Sequence, residues 1–249
     1  MIMKTIIVFL MSTFLFGCSG DFAMKRPRLS LFVGIDVSGS FYNSGQYEEA
    51  IDFLSYYLHG HLNEMGELKP LKSLFVGSIG GDTGEEVKSF RPIHDFQGKS
   101  VDKIKEDLKE WFPKSDALTD FSTFFKSVAT ISKKRNLSLA PITIMLVTDG
   151  LPDVPGVEGD AIDQVDLSEL EYLSRNVTVR LLYPDPTNAH KWETVIPRKR
   201  VRMWTVDREV MQGWKNQLVD NGGPSGQQKL WKWIRDNIDF RVRRGAPVR

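Results

Sequence analysis

The chain has 249 residues, 41% of them hydrophobic and 26% charged. That falls inside the globular range and suffices for one substantial core. Net charge is +1, from 33 basic and 32 acidic side chains, a balance with no field for gathering a polyanion, so a nucleic-acid partner is not expected.

The chain begins MIMKTIIVFLMSTFLFGC, one positive charge and an apolar run from Ile6 to Phe16 ahead of Gly17-Cys18. The pattern is that of a signal peptide over residues 1–17. Its apolar run is about half of the roughly 20 residues that a membrane-crossing helix needs. Leu15-Phe16-Gly17-Cys18 resembles the lipobox of bacterial lipoproteins. That resemblance implies a lipid on Cys18, a membrane anchor and a place in the bacterial cell envelope. Since Ser19 rather than Asp follows, it implies the outer membrane, facing the periplasm, in a Gram-negative source. Cys18 is the only cysteine, so no disulfide is expected. The plainer alternative is a stray cysteine at the end of an ordinary signal. Residues 18–30 are polar and read as the lipidated cysteine and its tether.

Strand one is expected over Leu31–Val37. Tyr47–Leu58 follows as a helix with Ala50, Phe53, Leu54, Tyr57 and Leu58 on one face. Leu71–Ile79 reads as the second strand, and the turn Gly80–Gly84 leads into Glu85–Phe90 as an antiparallel partner. Val101, Ile104, Leu108, Trp111 and Phe112 mark a helix capped by Ser100, and Phe121–Ser132 marks another. Ile142–Val147 is a strand, too short and too β-branched for a helix. Leu167–Arg175 reads as a helix, Val177–Tyr183 as a strand, Pro184–Lys199 as a connection with room for one short helix, and Arg200–Val206 as the last strand. Two helices close the chain. Asp207–Asp220 turns Val210, Met211, Trp214 and Leu218 inward, and Ser225–Asp239 does so with Leu230, Trp233, Ile234 and Ile238. Residues 241–249 form a basic tail. Alternating strands and helices predict a doubly wound α/β fold: a mostly parallel central sheet with one antiparallel edge strand and helices on both faces.

Two apolar strands end in carboxylates, the first in Asp36-Val-Ser38-Gly-Ser40 and the later one in Thr148-Asp149-Gly150. Open α/β sheets bind ligands at such carboxyl ends, and hard oxygen donors suit Mg2+, Mn2+ or Ca2+ better than zinc. Taken singly, each segment also reads as an ordinary turn in which Asx and Ser side chains bond to backbone. With Thr119-Asp120 before a helix, the three segments resemble the von Willebrand factor type A domain and its metal-ion-dependent adhesion site, over residues 31–240. The resemblance implies hydroxyl ligands from Ser38, Ser40 and Thr119, with Asp36 and Asp149 holding coordinated water. It implies one exchangeable metal position open to an Asp or Glu carboxylate of a protein partner, and adhesion without catalysis. Thr119 is preferred to Ser122 or Thr123 because Thr-Asp-Phe opens a helix as in that family. Thr119 or Asp120 equally reads as a helix N-cap.

Other motifs point elsewhere more weakly. Asp36-Val-Ser38 lacks the second carboxylate that a haloacid-dehalogenase-type phosphatase uses as general acid. Neither a nucleophile elbow nor a phosphate-binding Gly-Lys-Ser/Thr loop is present. His59-Gly-His61 lacks the spacing and third ligand of a zinc site. Glu158, Asp160, Asp163 and Asp166 lack the order of a calcium loop. Trp231, Trp233, Arg241, Arg243 and Arg244 could form an aromatic and basic strip, although periodicity makes Trp233 core and the arginines a solvated tail. Two rivals to cation-bridged adhesion stand: a metal-independent scaffold of an envelope assembly, and a metal-dependent hydrolase, for which no general base is marked.

Overall fold

The computed structural model describes residues 27–80, 90–115, 118–153, 156, 161–173 and 176–240. The signal segment, Cys18, residues 81–89 of the expected hairpin, Glu158, Asp160 and the basic tail lie outside them. Six strands form one sheet: β1 (Leu29–Asp36), β2 (Leu71–Ile79), β3 (Arg91–Pro92), β4 (Ile142–Val147), β5 (Val177–Leu182) and β6 (Arg202–Val206). Their order is β3-β2-β1-β4-β5-β6, with β3 antiparallel to β2 and every other neighbouring pair parallel. This is the expected fold class, with one antiparallel edge strand, although that strand is Arg91–Pro92 and not the expected Glu85–Phe90, of which only Phe90 is described. Pro92 has no N–H to give, which suits it to an edge.

The strands are apolar on both faces because helices cover both. Leu31, Val33 and Ile35 of β1 join one cluster with α2 (Gln46–Leu62), α3 (Val101–Trp111) and the C-terminal segment, while Phe32 joins the other. That second cluster holds α4 (Phe121–Lys134), α5 (Ser168–Glu171) and α6 (Pro186–Thr194). Ser100 caps α3 as expected, its side chain accepting the Lys103 N–H at 3.2 Å.

The expected helix over Leu167–Arg175 shrinks to the single turn of α5, with residues 174 and 175 undescribed. Asp207–Asp220 is not one helix. Its first part, α7 (Arg208–Gln212), ends at Gly213, and a 3-10 turn covers Lys215–Gln217. Val210 is 42% exposed, against the inward expectation, while Met211 and Trp214 are buried. The closing segment is also broken, into a 3-10 turn at Pro224–Gly226, α8 (Gln228–Trp233) and a π-helical stretch over Ile234–Ile238. Leu230, Trp231, Ile234 and Ile238 are buried, and Trp233, expected inward, is only partly so. The Trp231 indole N–H donates to the Pro224 carbonyl at 2.9 Å, which makes it a core residue with a satisfied polar handle.

Candidate functional site

The strand order reverses between β1 and β4, and the crevice beyond their carboxyl ends is where such sheets place ligands. Ile35 lies opposite Val147 in register, which brings Asp36 and Thr148 side by side. Asp36 is fully buried. Its Oδ1 accepts the Ser38 N–H at 2.9 Å and its Oδ2 accepts the Thr148 hydroxyl at 2.6 Å. Burial pushes the Asp36 carboxyl up to about 6, against the pull of those hydrogen bonds, and the charge of Asp149 adds to the rise.

Ser38 is the N-cap of the short helix α1 (Gly39–Asn43), yet its side chain makes no capping bond. Its Oγ lies 3.2 Å from Ser40 Oγ instead. Ser40 in turn stands beside the Asp149 carboxylate and pulls its pKa down. Asp149 Oδ1 also accepts the Leu151 N–H at 3.1 Å. Burial raises the Asp149 pKa in spite of these donors, and the charge of Asp185 adds to it. The turn reading therefore accounts for Asp36 and Asp149, whose carboxylates do bond to nearby backbone. The two serine hydroxyls face one another, with Ser38 beside Asp36 and Ser40 beside Asp149. Exposure rises along this chain, from Asp36 at 0% through Ser38 at 7% to Ser40 at the surface.

The third segment arrives by its backbone. Thr119 is buried, and its carbonyl accepts the Asp153 N–H at 3.1 Å; Ser115 N–H donates to the Val37 carbonyl at 2.8 Å. At the end of β2, Gly80 has φ +76°, and a Cβ there would stand 2.0 Å from the Leu118 carbonyl oxygen. Only glycine lets this loop press across the strand ends. The N-cap of α4 is Asp120, whose Oδ1 accepts the Thr123 N–H at 2.9 Å and whose Oδ2 accepts the Thr123 hydroxyl at 2.6 Å. Ser122 Oγ accepts the Asp166 N–H at 3.0 Å. Thr123 is thus engaged with the Asp120 cap and Ser122 with Asp166, while Thr119 is held in this loop by its carbonyl.

Three contributors were not singled out from sequence. Thr148 bridges the site, giving its hydroxyl to Asp36 while accepting the Gly150 N–H at 3.0 Å. Asn188 is buried, and its amide donates to the Asp149 carbonyl at 3.2 Å and to Asp185 Oδ2 at 2.9 Å. Asp185 caps α6 through the N–H groups of Thr187 and Asn188. The pair Asp185-Pro186 carried a helix-start signal, whereas nothing in sequence tells that Asn188 reaches back to Asp149. Gly150, at φ +79°, offers its carbonyl to the Trp192 indole N–H at 2.8 Å, which ties the Asp149 loop to the core.

Among the described residues no cluster of three or more His, Cys, Asp or Glu side chains is arranged to hold a metal ion. The donors gathered here are two carboxylates and neutral hydroxyls, a set that fits a hard divalent cation retaining much of its water. His59 and His61 are occupied elsewhere: His59 Nδ1 lies 3.1 Å from the Lys99 carbonyl, and His61 sits 2.9 Å from the Lys69 carbonyl and 2.7 Å from Asp239. Among the described residues no helix is long and apolar enough to cross a membrane.

No family model and no curated protein matches the chain. Solved structures do resemble it. Proximal thread matrix protein 1 from the mussel byssus aligns at 15% identity and a TM-score of 0.47, over 84% of this chain and 48% of its own. The SpRpn10 VWA domain aligns at 13% and 0.44, over 80% and 97%. The pilus adhesin SpaC of Lactobacillus rhamnosus GG, in an open conformation, aligns at 10% and 0.48, over 85% and 30%. The chain thus spans about half of the first, nearly all of the second and under a third of the third.

Proposed function

We propose that this chain is a membrane-anchored bacterial lipoprotein whose von Willebrand A-like domain binds a divalent cation and uses it to hold a protein partner. One observation carries the reading. The Ser38 hydroxyl, free of any capping bond, meets the Ser40 hydroxyl at the sheet's switch point, Ser38 beside the buried Asp36 and Ser40 beside Asp149. Ser38, Ser40 and Thr119 would offer hydroxyl oxygens to Mg2+ or Mn2+, while Asp36 and Asp149 would hold its water. Such a set puts little anionic charge on the cation, which keeps it able to attract a carboxylate from the partner. Ser40, at the surface, marks the side from which that carboxylate would come.

The metal-independent scaffold has one observation in its favour, since both Asp36 oxygens already have protein donors. Thermal unfolding of the purified domain with and without millimolar Mg2+ or Mn2+ separates the two. The cation reading expects a higher midpoint with metal, because a ligand held only by the folded state stabilises it. Asp149→Ala should abolish that rise while the domain stays folded. A midpoint indifferent to both ions would leave the scaffold. For the anchor, Cys18→Ser should move the protein from the membrane fraction to the soluble one, and its staying with membranes would refute lipid attachment.

A further inference from the structure

A second concave feature lies at the opposite end of the sheet, where the parallel strands begin. A cavity of about 360 Å³ opens among residues flanking the first residues of β1, β4, β5 and β6, with Asp239 and Phe240 beside it. Its size is at the small end of the range for small-molecule sites. Its lining is cationic, with Arg28, Lys69, Arg180 and Arg202 against the single acidic residue Asp239. Asp239 is already committed, with Oδ1 accepting the Tyr57 hydroxyl at 2.9 Å and Oδ2 lying 2.7 Å from His61 Nε2.

Arg180 is the decisive residue. It stands in the middle of β5, paired with Met145 and Trp204, and is only 5% exposed. Its Nη2 donates to the Phe240 carbonyl at 2.6 Å, but among the described residues Nε and Nη1 have no hydrogen-bond partner. The Nε of Arg202, also buried, is in the same position, although its Nη2 reaches Asn176 Oδ1 at 3.3 Å. Leaving guanidinium donors buried and unpaired is costly, so such groups are found paired with an acceptor. Burial holds the Arg180 pKa below its ordinary value, although the charge of Asp239, which it shares with His61, works the other way. Apolar wall comes from Leu29, Ile142 and Phe240.

We propose that this cavity binds a small organic anion, its carboxylate or phosphate head hydrogen-bonded by Arg180 and Arg202 and its short apolar body lying against Leu29, Ile142 and Phe240. Arginine suits oxyanions because its planar donors match their oxygens. The site is separate from the serine and aspartate crevice and does not depend on the cation.

Thermal unfolding and calorimetric titration of the full chain, at constant ionic strength, test this with benzoate and phenyl phosphate as probes and benzamide as the neutral isostere. At least one of the two anions should raise the midpoint and release binding heat, and benzamide should do neither. Arg202→Gln should weaken that binding by about tenfold or more, the worth of a lost charged hydrogen bond. Arg180→Met should abolish it; where that variant does not fold, Arg202→Gln decides alone. Asp149→Ala should leave anion binding intact. Failure of both anions at tens of millimolar, equal binding of benzamide, or full binding by a folded Arg202→Gln would each overturn the proposal.

Discussion

Asp36 is buried at a cost. A carboxylate whose pKa is lifted from 3.8 to about 6 opposes folding at neutral pH by about 3 kcal/mol, at 1.36 kcal/mol for each pKa unit. Carboxylates shifted in this way cluster at functional sites. Asp36→Asn keeps the shape and removes the charge, so the metal-free variant, measured in chelator at pH 7, should unfold several degrees above the parent. The same variant should lose the rise in midpoint with Mg2+. A drop in stability would mean that the hydrogen bonds to Ser38 and Thr148 outweigh the buried charge. Sequence placed Asp36, Ser38, Ser40 and Asp149 because each ends or follows an apolar strand, and strand ends are legible. Thr148 stood in the quoted motif without a role, since its bond to Asp36 depends on the register between two strands 112 residues apart in the chain. Arg180 was passed over within an apolar run for a like reason: a strand pattern shows which residues share a face, not which of them lacks a partner.

Among the elements, strands were the more legible. Ile142–Val147 matches its expected bounds, and β1 and β5 differ by one or two residues, because β-branched runs bounded by polar turns leave little choice. The C-terminal helices broke where the pattern was silent. Helical spacing alone put Val210 inward, but Gly213 ends α7 and the chain turns before Trp214 reaches the core. At α4 the sequence left Thr119 and Asp120 as rival caps, and the structure assigns the cap to Asp120. Two variants turn that assignment into a measurement. Asp120→Ala should cost about 0.5–2 kcal/mol of stability, as lost N-caps do, and leave the response to Mg2+ intact. Thr119→Val should barely change metal-free stability while weakening the response to Mg2+. Denaturant titrations with and without the cation would show both, and the reverse pattern would place the ligand hydroxyl elsewhere.

Across the whole molecule, the turn at Asp239 is fastened to α2 by charge as well as packing. Burial alone would raise the Asp239 pKa, but the positive charge and hydrogen bond of His61, with Arg180 and the Tyr57 hydroxyl, hold it below the ordinary carboxylate value. In the unfolded chain Asp239 ionises at its ordinary pKa. Its contribution to stability is therefore complete above that value and disappears as pH falls through the lower, folded one. Acid unfolding below about pH 4 should accordingly steepen through this residue, and Asp239→Asn should flatten that limb of the curve; an unchanged limb would show that the fastening adds nothing. The opposite feature is β1, flanked by β2 and β4 and covered on both faces. No partial opening of an edge or a surface helix bares its amides to solvent. Their exchange with deuterium should then wait for global unfolding and be the slowest in the chain. Asp36 is the last residue of that strand, so its place in the proposed cation site is set by the part of the molecule that opens last. Magnesium should slow the exchange of β1 amides by the same factor by which it lowers the global unfolding constant, so that a timer far from any surface reads out occupancy at the strand's end.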